Sequence, residues 1–281
     1  MTYVTSGQLR LWTSLTGSTD DPPVLLIMGA EGQSVHWPTT FVQALVAGGL
    51  RVITYDHRDT GRSDTVDFAA APYGAADLVA DAVAVLDGLA VPRAHVVGTS
   101  MGGGIAQWLA AAHPARVRTL TLMNTTPINA GHPDLPPPDT AFLTAAAALS
   151  ALPQHTTAQR IDAAVRAYEL LTANPNFDRP AARRMAAEAV SRSRDWTSGA
   201  NHYRAAGAAE TPPPLSAIKA PTLVIAAGSD PMFPPPHAEA LAAAIPGARL
   251  ERVPGLGHTM LAHGQPEHLA ALILTHASSP T

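Results

Sequence analysis

Three residues of the 281-residue chain have the types and settings needed for acyl-transfer chemistry: Ser100, Asp230 and His258. Ser100 stands in Gly98-Thr99-Ser100-Met101-Gly102, a G-x-S-x-G string. A serine raised on a sharp turn has strained backbone angles, and side chains two positions before and after it would collide, which accounts for Gly98 and Gly102. His258 closes Pro254-Gly255-Leu256-Gly257-His258, and Asp230 follows Gly228-Ser229. In that constellation His258 takes the proton from the Ser100 hydroxyl, while Asp230 holds the imidazole in the required tautomer and stabilises its charged form. The chain order Ser, Asp, His is the one expected when the nucleophile sits on such an elbow.

The string alone is weak, because at ordinary glycine usage it arises by chance in about one chain in ten of this length. Context strengthens it. The β-rich run Ala94-His95-Val96-Val97 precedes Ser100, and a helical pattern of Ile105, Trp108, Leu109 and Ala112 follows. Pro221 to Ala226 reads as a strand before Asp230, and Ala248 to Val253 as a strand before His258. All three residues therefore fall just past the C-terminal ends of strands, the edge where sites assemble in an open parallel sheet. The amide of Met101 at the start of the helix is one candidate for an oxyanion hole. The second is the amide of Ala30, in the loop Gly29-Ala30-Glu31-Gly32 after the apolar strand Val24 to Met28.

Blander readings exist for two members. An Asp after Gly-Ser is often only a turn or helix cap, and the chain has 12 histidines. The glycine-rich setting separates His258 from the others. The strand Val117 to Met123 ends at Asn124, which cannot carry a charge, so Asp230 stands nearly alone as the orienting acid. His258, His263 and His268 recur at intervals of five, whereas helical metal pairs want four, and neither H-E-x-x-H nor G-x-G-x-x-G occurs. No metal and no cofactor are expected.

The remaining elements read as an α/β fold: a mostly parallel central sheet flanked by helices. Val4 to Leu15 forms an N-terminal hairpin, Thr39 to Ala47 a helix, and Arg51 to Tyr55 a strand that runs into Asp56-His57-Arg58-Asp59-Thr60-Gly61-Arg62-Ser63. That charged loop reads as one held by its own Arg-carboxylate pairs. In the helix Tyr73 to Leu89, Asp77, Asp81 and Asp87 read as a solvated face. Between Pro127 and Pro214 no convincing strand occurs; proline clusters at Pro133 to Pro138 and Pro212 to Pro214 bracket helical patterns. The expected organisation is a catalytic core of residues 1–126 and 213–281 with a helical lid at 127–212. Trp37, Phe142, Trp196, Tyr203, Met232 and Phe233 are the candidates for a substrate wall, with Tyr168, Leu171 and Met185 among the other lid side chains able to form an apolar roof.

A net charge of −4 offers no basic face for nucleic acid or membrane phosphates, and the absence of cysteine excludes disulfides and a thiolate nucleophile. Met1 to Leu11 carries neither a positive leader nor an apolar core, so a cytoplasmic protein is expected, with an apolar small-molecule ester as partner and a homodimer as the oligomeric expectation.

The elbow G-T-S-M-G, the strand-loop Y-D-H-R-D-T-G-R-S, the helix A-D-A-V-A-V-L-D-G, P-T-L-V-I before Asp230 and P-G-L-G-H around His258 together resemble the α/β-hydrolase superfamily, and within it the aclacinomycin methylesterase group of serine esterases. The resemblance is close through the core and loose through the lid. It implies an α/β-hydrolase fold, removal of a methyl group from a carboxylic methyl ester on an anthracycline-like aromatic polyketide, Ser100, Asp230 and His258 as triad, and the amides of Ala30 and Met101 as oxyanion hole. Where such enzymes carry a second glycine in the oxyanion loop, this chain has Ala30, a change a backbone amide survives. Two rivals stand beside it: another reaction on the same fold, such as lactone or amide hydrolysis, cyclisation or perhydrolysis, and a binding module that has lost turnover.

Overall fold

The computed structural model describes residues 1–128, 134–208 and 210–278. Its centre is an eight-stranded sheet of β1 (Thr2–Ser6), β2 (Leu9–Thr16), β3 (Pro23–Ile27), β4 (Arg51–Tyr55), β5 (Ala94–Thr99), β6 (Val117–Met123), β7 (Thr222–Ala227) and β8 (Arg249–Val253). The strand order is β1-β2-β4-β3-β5-β6-β7-β8, with β2 antiparallel to both neighbours and every other pair parallel.

The side-chain period of a strand explains how two cores form from one sheet. Leu25 and Ile27 of β3 face one side, with α2 (Ala75–Gly88), α3 (Met101–Ala112) and α8 (Pro235–Ala244) packed over them; Val24 and Leu26 face the other, under α1 (Thr39–Ala47) and α9 (Gln265–Ala277). Central strands covered on both faces must be apolar throughout, as β3 is.

Among the described residues four α-helices lie between β6 and β7: α4 (Thr140–Ser150), α5 (Thr157–Thr172), α6 (Arg179–Arg192) and α7 (Asn201–Ala205). Residues 129–133, including Pro133 of the first proline cluster, and residue 209 of the expected lid lie outside the described residues. The helix starts are written locally. Asp139 and Asp178 accept from the amides of Phe142 and Ala181, and Thr156 with Gln159 forms a capping box. Ala164, Val165 and Ala186 form a small core of their own between α5 and α6.

The charged loop after β4 differs from the expectation. Its ions reach outward instead of pairing with each other. Arg58 forms a bidentate pair with Asp81 of α2, at 2.7 and 2.8 Å, so Asp81 is buried and not part of a solvated face. A buried guanidinium needs a carboxylate at its own depth, and Asp81 is on the inward side of α2 among Leu78, Val79 and Ala82. Asp77 instead caps the helix by accepting from Gly74 N, and Asp87 pairs with Arg116 at the surface. Asp56 accepts from Arg192 of α6 at 2.8 Å, and the same guanidinium stacks on Trp12, 4.4 Å from its ring centre. The loop is thus the seat on which the inserted helices rest.

Candidate active site

Ser100 has φ 54° and ψ −127°, and α3 begins at the next residue. A non-glycine residue in that region is strained and persists only where its surroundings hold it. The holding is steric. A Cβ at Gly98 would stand 2.3 Å from Gly102 O, and one at Gly102 would stand 2.2 Å from Ile27 O. β5, the first turn of α3 and the end of β3 therefore approach more closely than any side chain allows. Thr125 Oγ1 donates to Ser100 O at 2.8 Å from the far side.

Asp230 lies three residues past the end of β7 and is buried. Its Oδ1 accepts from the amides of Met232 and Phe233 at 2.8 and 3.0 Å, its Oδ2 from Asn124 Nδ2 at 3.1 Å, and His258 Nδ1 lies 3.0 and 2.9 Å from the two oxygens. The residue is both a turn cap and the partner of His258. Burial raises its carboxyl, but the hydrogen bonds from His258, Phe233 and Asn124 outweigh burial and hold it below the ordinary carboxylate value. A carboxylate facing Nδ1 fixes the proton there in the neutral ring, which leaves Nε2 as an acceptor. The His258 amide donates to Leu171 O at 2.7 Å, so the inserted helix α5 helps to seat this loop.

The loop after β3 runs against Ser100: a Cβ at Gly29 would lie 3.0 Å from Ser100 Cβ. Three neutral histidines brace it. His57 Nε2 donates to Met28 O at 2.8 Å, His202 of α7 accepts from Glu31 N at Nδ1 (2.9 Å), and His36 accepts from Gln33 N at Nδ1 (3.0 Å). Burial lowers the pKa of all three, His57 to about 3 and His36 to about 4. Glu31 itself has φ 58°, and its carboxyl is raised by desolvation. The amides of Ala30 and Met101 have no hydrogen-bond partner among the described residues.

A cavity of about 750 Å³ is lined by Ser100, His258 and Ala30 together with Trp196, Tyr203 and Met232. The other three wall candidates lie elsewhere. Trp37 is buried in the core and stacks on Phe41 with ring centres 5.3 Å apart, because its place just ahead of α1 turns it under the sheet. Phe142 is buried at the first turn of α4 and does not border the cavity. Phe233 packs its ring 5.6 Å from that of His258, beside the site and not in the cavity wall. Sequence reasoning did not single out Glu31 or His36, which border the same cavity. The positive φ of Glu31 carries no residue-type signal, and the partner of His36 lies far along the chain. Among the described residues no group of three or more acidic, histidine or cysteine side chains could hold a metal ion. No helix among them is long and apolar enough to cross a membrane.

A strained serine between β5 and α3, on a mostly parallel sheet with a helical insertion, defines a class of protein, and a family model for the alpha/beta hydrolase fold matches residues 22–264. The chain belongs to the α/β-hydrolase fold family. It is 38% identical over 299 aligned positions to a rhodomycin D methylesterase of Streptomyces peucetius, covering 99% of this chain and 98% of that one, and 37% identical to a rhodomycin D methylesterase of Streptomyces sp. strain C5 over the same shares. Among solved structures, a hydrolase of Pseudomonas aeruginosa superposes with a TM-score of 0.73 at 26% identity, covering 99% of this chain and 98% of that chain. An esterase of Exiguobacterium antarcticum shares the fold at a TM-score of 0.77 and 21% identity, with 99% of each chain covered. By family and by likeness along its whole length, the chain is a carboxylic ester hydrolase.

Proposed function

We propose that the chain removes the methyl group from a carboxylic methyl ester on an anthracycline-like aromatic polyketide, with Ser100 as nucleophile, His258 as base and Asp230 as orienting acid. His258 Nε2 takes the Ser100 proton as Oγ bonds to the ester carbonyl carbon, and the amides of Ala30 and Met101 receive the oxyanion. The methoxy group leaves as methanol with the proton from the imidazolium. Water, deprotonated by His258, then attacks the acyl-enzyme and releases the acid and free Ser100. Residues 127–212 act as the lid that selects the substrate.

The observation that carries this reading is the meeting of a strained Ser100 and the Asp230-paired His258 on the wall of one cavity. Its size and its Trp196, Tyr203 and Met232 lining suit a flat aromatic acyl group. Likeness over the full length to two rhodomycin D methylesterases supports the substrate class. The test is mass spectrometry after incubating wild type and Ser100→Ala with an anthracycline methyl ester. Wild type should yield the free acid and methanol, and Ser100→Ala should turn over about a millionfold more slowly. Equal product from the two proteins would remove Ser100 from the mechanism, and an intact polyketide ester with wild type would remove the substrate assignment.

A further inference from the structure

One wall of the cavity carries a hydrogen-bond donor whose direction is set by a chain of protons. Gln33 N–H donates to His36 Nδ1 at 3.0 Å, so that nitrogen bears no proton. Burial lowers the His36 pKa to about 4, so the ring is neutral at ordinary pH and its single proton is on Nε2. That nitrogen stands 2.9 Å from Tyr168 Oη. Tyr168 must accept there, and its own phenolic hydrogen has to point elsewhere. Among the described residues no acceptor takes it, while both Tyr168 and His36 border the cavity that holds Ser100.

We propose that Tyr168 is a positioning residue that donates its hydroxyl hydrogen to a neutral oxygen on the acyl part of the substrate, a ring carbonyl or a hydroxyl. This rests on the ester hydrolase reading given above. The ligand oxygen is neutral because the Glu31 carboxylate also borders the cavity and acts on the Tyr168 hydroxyl through its charge, so an anionic oxygen would be repelled there. Burial, assisted by Glu31, pushes the phenol well above its ordinary value, so Tyr168 keeps its proton across the working range. The His36 ring meets the Tyr168 ring edge-on with centres 5.8 Å apart, which limits rotation of the phenol away from the cavity. A group aimed in this way holds a flat acyl group in one place along the cavity, a contact made alike in the ground state and the transition state.

The proposal is tested by kinetics and by ring-nitrogen NMR. With an anthracycline methyl ester, Tyr168→Phe should raise KM about tenfold with little change in kcat, as expected for loss of one uniform binding contact. Nitrogen-15 NMR of the histidine side chains should show His36 as the Nε2–H tautomer between pH 6 and 8. An unchanged KM for Tyr168→Phe, or an Nδ1–H tautomer of His36, would overturn the assignment while leaving the esterase reading intact. If wild type leaves the polyketide ester untouched, the substrate reading falls instead, and the tautomer alone then decides whether Tyr168 is an obligate donor to the cavity.

Discussion

The side-chain amide of Asn124 stands 3.1 Å from Asp230 Oδ2 and 2.5 Å from Gly257 O, so a single residue at the end of β6 ties the loop of the acid to the loop of the histidine. Asn124→Asp would set a second carboxylate against the first, and two such groups cannot both ionise freely. The expected outcome is an acid limb of the pH–rate profile displaced to higher pH, with kcat/KM at neutral pH down by about one to two orders of magnitude. Measuring kcat/KM from pH 5 to 9 for both proteins decides it; coincident profiles would mean that Asn124 has no electrostatic contact with the site.

Gly102→Ala should damage the elbow itself. The new Cβ would meet the carbonyl oxygens of Ile27 and Met28 at 2.2 and 2.4 Å, both of them backbone atoms that cannot swing aside. The expected cost is about 1–3 kcal/mol, a fall in melting temperature of several degrees, with kcat falling more than KM rises. Calorimetry beside steady-state kinetics would show it.

Arg192→Ala should be costly although the residue is remote from Ser100 in sequence. It removes the partner of the buried Asp56 together with the stacking on Trp12. Asp56 keeps its hydrogen bonds from Ser34 N, Ser34 Oγ and Arg62 N, so the cost falls at the lower end of the range of about 3–5 kcal/mol seen when a buried ion loses its counter-charge. A matching drop in the unfolding free energy extrapolated from urea titration, together with faster proteolysis within α6, is the expected result. Unaltered proteolysis would show that the inserted helices are held by other contacts.

Acid should weaken the fold through the histidines behind the loop after β3. His57 is fully buried and its pKa is pushed down to about 3, first by burial and then by His202 beside it. In the unfolded chain it titrates near 6.5, so below that pH the unfolded state holds a proton that the native state refuses. Stability therefore falls with falling pH across the window from about 6.5 to 3, at up to about 1.4 kcal/mol per pH unit for this one group. Asp230, whose pKa is lowered in the fold, acts in the same direction at the acid end. Urea denaturation at pH 7, 6 and 5 should show the decline, and His57→Gln should flatten it.

The strands and the strand-end positions of Ser100, Asp230 and His258 are legible in the amino-acid order because they depend on local rules. Apolar runs bounded by turn residues mark buried strands, and Gly98 answers to a clash with Gly102 four residues on, whereas the need for Gly102 comes from the distant end of β3. The helical character of the insert is likewise legible from its periodicity between the proline clusters. What the order of residues could not supply are pairings between distant segments. Asp81 reads as solvated on its own helix, and only the arrival of Arg58 makes it a buried ion. Trp37 has the chemistry of a substrate wall, yet its stacking on Phe41 of α1 carries it into the core. The contacts that brace and furnish the cavity, Arg192 with Asp56, Tyr168 with His36 and His202 with the Glu31 amide, join residues more than a hundred positions apart. Local periodicity says which face of an element is apolar, but only tertiary packing decides which polar side chains are carried inward with it and which partner meets them there.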